Sequence, residues 1–267
     1  MNRDDASAQA KHDASRFLRH YGAQSREDLQ PEAWAHDLGI EIVEDELDGA
    51  TAQLIRLADV AQIVLPTRIH DPCARRFAIV HELYHFIKRH PSMSPTMMCK
   101  PKWLRGSDRH LHAFEIGSNA FAGAVLLPES WLRSRCEVSP VSLEVPWQIA
   151  KEYDVSILTS AIRFCELSSE RCAAVFSKDG VVQWIAKSKT FTRRIADTRR
   201  LHRDSIAWDF HATGTLDERE QPVPAQAWID TRANVDIIEH STFRSDYGTV
   251  LSMVWVPEDA AAQLGMP

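Results

Sequence analysis

His81-Glu82-Leu83-Tyr84-His85 is the part of the sequence best equipped to do chemistry. On a helix, positions four apart share a face, so both imidazoles can reach one metal ion. Zinc accepts imidazole nitrogen and keeps an open position when the protein supplies only three ligands. Glu82, one step round the helix, can accept a proton from water activated by the metal. Zinc lowers the pKa of such water toward roughly 7. The five-residue pattern alone arises in roughly a few per cent of chains this long, so its setting matters. Apolar Phe77-Ala-Ile-Val80 precedes it and Phe86-Ile87 follows. Core packing alone does not explain two histidines and a glutamate in such surroundings.

A third ligand has to come from elsewhere in the chain. Asp108, His110, His112 and Glu115 are the downstream candidates. Glu115 ranks first, because Asn119 lies one turn on and Phe121-Ala122 mark a buried face that would aim it inward. His112 is its rival, with a supporting or exposed role as the ordinary alternative.

Two helices must position these groups. Asp71-Pro72 opens the first, with a capping carboxylate and then proline where no N–H is needed. It is predicted to run through Lys88 and to stop before Pro91. The second is predicted over His110–Leu127, ended by Pro128, with a loop from Pro91 to Ser107 between them. Upstream, residues 4–21 and Pro31–Leu38 read as helices, with Gly39 stopping the latter. Ile40–Val43, Ala52–Leu57 and Ala61–Leu65 read as strands. One of the last two can offer an edge to an extended peptide, and Met93, Met97 and Met98 can flank the cleft.

Pro140 and Pro146 mark residues 133–146 as a linker. Trp147–Leu167 resembles a helix-turn-helix, with Asp154-Val155-Ser156 at the turn. Its two cations, Lys151 and Arg163, face three anions, Glu152, Asp154 and Glu166, which disfavours phosphate contacts. A structural or protein-binding role fits it better. Cys172–Ser177 and Val181–Ala186 flank Lys178-Asp-Gly180 as a hairpin. Ala227–Thr231, Val235–Glu239 and Val250–Val256 read as further strands. Between Lys187 and Arg203 lie seven cations and only Asp197 as an anion; a solvated face is the commoner explanation, a phosphate contact the rarer.

At 267 residues with 25% charged, the chain is long enough for two or three units and is neither fibrous nor disordered in composition. No apolar run approaches a membrane span of roughly 18 residues. The polar N-terminus lacks a signal core, so a cytoplasmic location is expected. The five scattered cysteines form no C-x-x-C pair, which fits a reducing compartment. A net charge of −6 disfavours non-specific binding to nucleic acid.

Arg76-Phe77-Ala78-Ile79-Val80-His81-Glu82-Leu83-Tyr84-His85, then Glu115-Ile-Gly-Ser-Asn119-Ala-Phe121-Ala122 and Leu126-Leu127-Pro128, resembles the ImmA/IrrE family of metallopeptidases. Pro31–Val43 is similar to that family's helix-Gly-strand lead-in, so the resemblance spans roughly residues 25–130. It implies Glu115 as third ligand, a gluzincin-like site and catalysis by Glu82. Tyr84 stands where the family usually has glycine, Ala78 where it has threonine and Ser118 where it has alanine. A tyrosine there fills the space or lends its hydroxyl to the site; Tyr84 and His112 are the candidates for oxyanion stabilisation. The resemblance further implies an α+β chain in three parts: a zincin-like metallopeptidase domain over 1–132, a linker and helix-turn-helix-like segment over 133–168, and a GAF-like sensor domain over 169–267. The cofactor expected is Zn2+, with Mn2+ also suited to the ligands. The expected function is site-specific cleavage of a helix-turn-helix, XRE-like repressor, derepressing stress or mobile-element genes. The rival expectation is a non-proteolytic regulator that binds DNA or a repressor and uses the metal structurally or as a sensor.

Overall fold

A computed structural model describes residues 3–47, 52–56, 60–67, 69–89, 109–195 and 200–267. The chain is mixed α+β and forms two compact units: residues up to Pro128 with Tyr153–Ser156, and Glu129–Glu152 with Ile157–Pro267.

In the first unit, α1 (Arg3–His20) is followed by α2 (Pro31–Asp37), which ends at Gly39 with φ of +70°. Three strands follow: β1 (Ile40–Asp45), β2 (Gln53–Arg56) and β3 (Ala61–Pro66). Their order is β1-β3-β2, with β1 parallel and β2 antiparallel to β3. Ile55 packs with Val43, Leu47 and Val64 on one face of this sheet. Leu54, Arg56 and buried Ile63 therefore belong to the other face, by the two-residue alternation of strands. The helices α3 (Pro72–Ile87) and α4 (Arg109–Leu126) pack on each other, and α1 packs on α4. Asp71 caps α3, accepting from the Cys73 N–H at 2.9 Å. On α1 the small residues Ala6, Ala10 and Ala14 repeat every fourth position and are buried, which lets α4 come close. Gly117 on α4 answers them: a Cβ there would lie 3.3 Å from the Tyr84 ring and 3.8 Å from the Ala6 carbonyl.

In the second unit, α5 (Glu129–Cys136), α6 (Glu144–Tyr153) and α7 (Ile157–Leu167) precede a five-stranded antiparallel sheet. Its strands are β4 (Cys172–Lys178), β5 (Val181–Lys187), β6 (Gln221–Pro224), β7 (Asp236–Arg244) and β8 (Thr249–Trp255), in the order β5-β4-β8-β7-β6. Asp179 and Gly180 have φ of +51° and +72°, the left-handed pair that a two-residue hairpin requires. Ala173 and Val175 enter the main core, which also holds Phe191, Trp228 and Val254. Cys172 turns the other way, its sulfur 3.9 Å from Cys165 on α7. With both faces covered, the start of β4 is buried without interruption, hence its continuous apolar run. The helix α8 (Ile206–Thr213) is anchored by buried Glu239 of β7, which accepts from the Ile206 and Ala207 N–H groups at 3.0 and 2.9 Å. The Trp228 indole and the Ser241 hydroxyl, each at 2.7 Å, also donate to it. The helix α9 (Glu258–Leu264) closes the described chain.

Several elements differ from expectation. Residues 129–136, read partly as linker, form α5, and α6 begins before Pro146, in whose first turns proline is tolerated. Ala227–Thr231 is not a strand: Ala225–Ala227 make a 3-10 turn and the Trp228 and Ile229 N–H groups bond back to Ala225. That turn puts the Trp228 indole against Glu239. At the turn between α6 and α7, Asp154 has φ of +49°, the left-handed backbone expected there. The Pro91–Ser107 loop, Asp108 and the three loop methionines lie outside the described residues.

Candidate metal centre

His81 and His85 occupy successive turns of α3 and are both buried. Their Nε2 atoms are 3.1 Å apart. Glu115 reaches them from α4, with Oε2 3.3 Å from His81 Nε2 and Oε1 3.4 Å from His85 Nε2. Each histidine nitrogen thus faces its own oxygen of the Glu115 carboxylate, and the two nitrogens lie side by side. Four tetrahedral ligands at 2.0–2.1 Å from a zinc ion stand roughly 3.3–3.4 Å from one another, and these separations suit such a shell. Two imidazole nitrogens and a carboxylate pointing at one spot are also all electron-pair donors, an arrangement that a cation satisfies. Among the described residues, these three are a group able to hold a metal ion.

Neighbours fix the orientation of the ligands. His81 Nδ1 lies 3.1 Å from the Asn119 Oδ1 and donates to it, which leaves Nε2 its lone pair for the metal. Asn119 is four residues past Glu115, so one face of α4 supplies both the carboxylate and the partner of the histidine. Burial alone would raise the Glu115 carboxyl, but the hydrogen bonds and charge of His81 and His85 overcome it and hold the group well below the usual carboxylate range. Its side chain keeps 22% of its surface exposed against 9% for each histidine, so solvent reaches the site from the Glu115 side. Glu82 is buried on α3 next to His81, with only 3% of its surface exposed.

Tyr84 fills space and directs its hydroxyl to another helix. Its ring stacks on Phe121, centroids 4.5 Å apart, and its hydroxyl donates to Asp13 Oδ2 of α1 at 3.0 Å. Lys88 Nζ donates to the same oxygen at 3.1 Å. Burial and the Asp13 charge push the Tyr84 phenol well above its ordinary value, so it stays a neutral donor. His110 and His112 fall in the first turn of α4, outside the described side chains. The sequence placed Asn119 one turn from Glu115 but did not give its bond to His81. Arg56 had no signal, since its contacts with α3 span about thirty residues.

The site and its fold define a metallopeptidase-type α+β domain: paired histidines on one helix, a carboxylate on the next, and a small mixed sheet beside them. Residues 35–164 match the family model Peptidase_M78, the IrrE N-terminal-like domain, so the chain carries a domain of the ImmA/IrrE family over those residues. None of the curated proteins matches the chain. Among solved structures, the chain is similar to one described as a Mycobacterium tuberculosis transcriptional regulator, with a TM-score of 0.60. The match is 14% identical and covers 96% of this chain and 78% of that one, a likeness of fold. Among the described residues, no helix is long and apolar enough to cross a membrane.

Proposed function

We propose that this chain is a zinc-dependent, site-specific endopeptidase that cuts a helix-turn-helix, XRE-like transcriptional repressor and so derepresses stress or mobile-element genes. The observation that carries this reading is the convergence of His81, His85 and Glu115 beside buried Glu82. A zinc ion held there would polarise a peptide carbonyl and acidify water. Manganese suits the same nitrogen and oxygen donors. The two histidines and Glu115 bind and orient. Glu82 takes one proton from the attacking water as the new C–O bond forms, then returns it to the amine nitrogen as the C–N bond breaks. The outer edge of β2, at one end of the small sheet, suits an extended substrate by strand addition. In this reading α6 and α7 make a helix-turn-helix-like contact with protein rather than with DNA, and the antiparallel sheet that follows is a GAF-like sensor. The site of action is the cytoplasm.

A regulator that works by binding is the second reading, favoured by the description of the structural neighbour as a transcriptional regulator. The test mixes the purified protein with the helix-turn-helix repressor encoded nearest to it, with zinc or manganese, and reads fragments by intact mass. One discrete cut, absent with Glu82→Gln, is expected. Metal bound and intact repressor captured without a cut would instead favour the second reading.

A further inference from the structure

The last turn of α3 carries His85, and its carbonyls are among those a helix leaves without partners inside itself. Arg56 reaches two of them from β2, in addition to the Arg89 N–H group that bonds to the Phe86 carbonyl. One of its guanidinium nitrogens donates to the His85 carbonyl at 2.8 Å and to the Phe86 carbonyl at 2.7 Å. Its carbon sits 5.3 Å from the centre of the Phe86 ring, over its face. The cation also meets the negative end of the helix dipole, where it is most favourable. Desolvation pulls the Arg56 pKa down, as for a cation partly removed from water. Arg56 is the last residue of β2, on the sheet face shared with Leu54, and pairs with Ala61 of β3.

We infer that Arg56 is a positioning residue for the metal centre: it ties the ligand-bearing last turn of α3 to the end strand of the sheet. The inference rests on the reading of His81, His85 and Glu115 as metal ligands. Glu115 and His81 are placed by helix-to-helix packing and by Asn119. His85 is the ligand closest to the end of α3, where fraying begins, and Lys88 and Arg89 cap that end through their own N–H groups. A strut that bonds to the His85 carbonyl therefore acts on the ligand most exposed to disorder. One guanidinium nitrogen makes both bonds while the planar group lies over the Phe86 ring, a combination that lysine supplies only in part.

The test measures the affinity of the full chain for cobalt(II), by its visible absorption and by competition with a chelator, in wild type, Arg56→Met and Arg56→Lys. Methionine keeps the stem and loses the donors. Arg56→Met is expected to bind one cobalt with roughly tenfold weaker affinity and altered absorption, within the range for lost support of a metal ligand. Arg56→Lys should recover part of the affinity. A merely stabilising role would lower the melting temperature of the metal-free protein and leave cobalt affinity unchanged, which would overturn the inference alone. Failure of the wild type to bind cobalt would overturn the metal-centre reading and this inference with it.

Discussion

In the proposed mechanism Glu115, His81 and His85 act as a set, and Glu82 stands beside them with a different task. Replacing Glu82 by glutamine removes the base and keeps the shape. We expect Glu82→Gln to bind one zinc per chain as wild type does, while cleavage falls by about 10²–10⁴-fold, the usual scale of a general base. Mass spectrometry of the metal-loaded protein and of the fragments checks both halves. Ser118 offers a stability test at the same scale. Its side chain is fully buried on α4 and, among the described residues, its hydroxyl has no hydrogen-bond partner. An unpaired buried hydroxyl costs about 1–3 kcal/mol, so Ser118→Ala should raise the thermal midpoint by an amount worth about 1 kcal/mol. A lowered midpoint in calorimetry would contradict this. The candidate histidine pair was legible because an i, i+4 pair on a helix is a local pattern. Glu115 was legible as a candidate, but only the packing of α3 on α4 brings it to the histidines. The Tyr84 hydroxyl was not legible, since its partner Asp13 lies 71 residues away.

The Asp13 carboxylate ties α1 to α3. Asp13 accepts from Tyr84, Lys88 and Gln9. Burial raises its carboxyl, but these bonds outweigh burial and leave it below the ordinary aspartate range. The sign follows: a lowered folded-state pKa stabilises above the unfolded value of about 3.9 and the effect is lost as pH falls through the lower folded value. Asp13→Asn should therefore melt lower than wild type at pH 6, with the gap closing as pH drops below about 3.9. Parallel melting curves at pH 6 and pH 3 test it, and a gap that widens at low pH would contradict it. Capped or turn-punctuated elements were read well: α3 from Asp71-Pro72, α2 from Gly39, the hairpin from Asp179-Gly180. Those whose residues answer distant partners were not. Ala227–Thr231 looks like a strand, yet Trp228 turns to reach Glu239. α8 has an ordinary serine cap, but its N-terminus is satisfied by that same distant glutamate.

Two cores underlie the two units, and the candidate metal centre lies wholly within the first. A metal binding the native state alone stabilises it by about 2.7 kcal/mol at a hundred times its Kd. Glu239 belongs to the second core, where glutamine would put an amide donor against donors. Loss of such a charge-assisted set costs about 2–3 kcal/mol, so Glu239→Gln should melt clearly lower. Because the residues share no partner with the metal centre, a chelator should lower the melting of wild type and Glu239→Gln by similar amounts, seen by calorimetry with and without zinc. The chain changes units at Pro128 and again around Tyr153–Ser156. Backbone contacts at long range set that boundary, and composition does not record them. The central claim is that His81, His85 and Glu115 together hold one metal ion. Native mass spectrometry of protein stripped with a chelator and reloaded with zinc tests it most directly. The expected result is one zinc per wild-type chain, and none retained by His85→Ala or Glu115→Ala at the same free zinc. Zinc-free wild type, or variants that keep the ion as tightly, would contradict it.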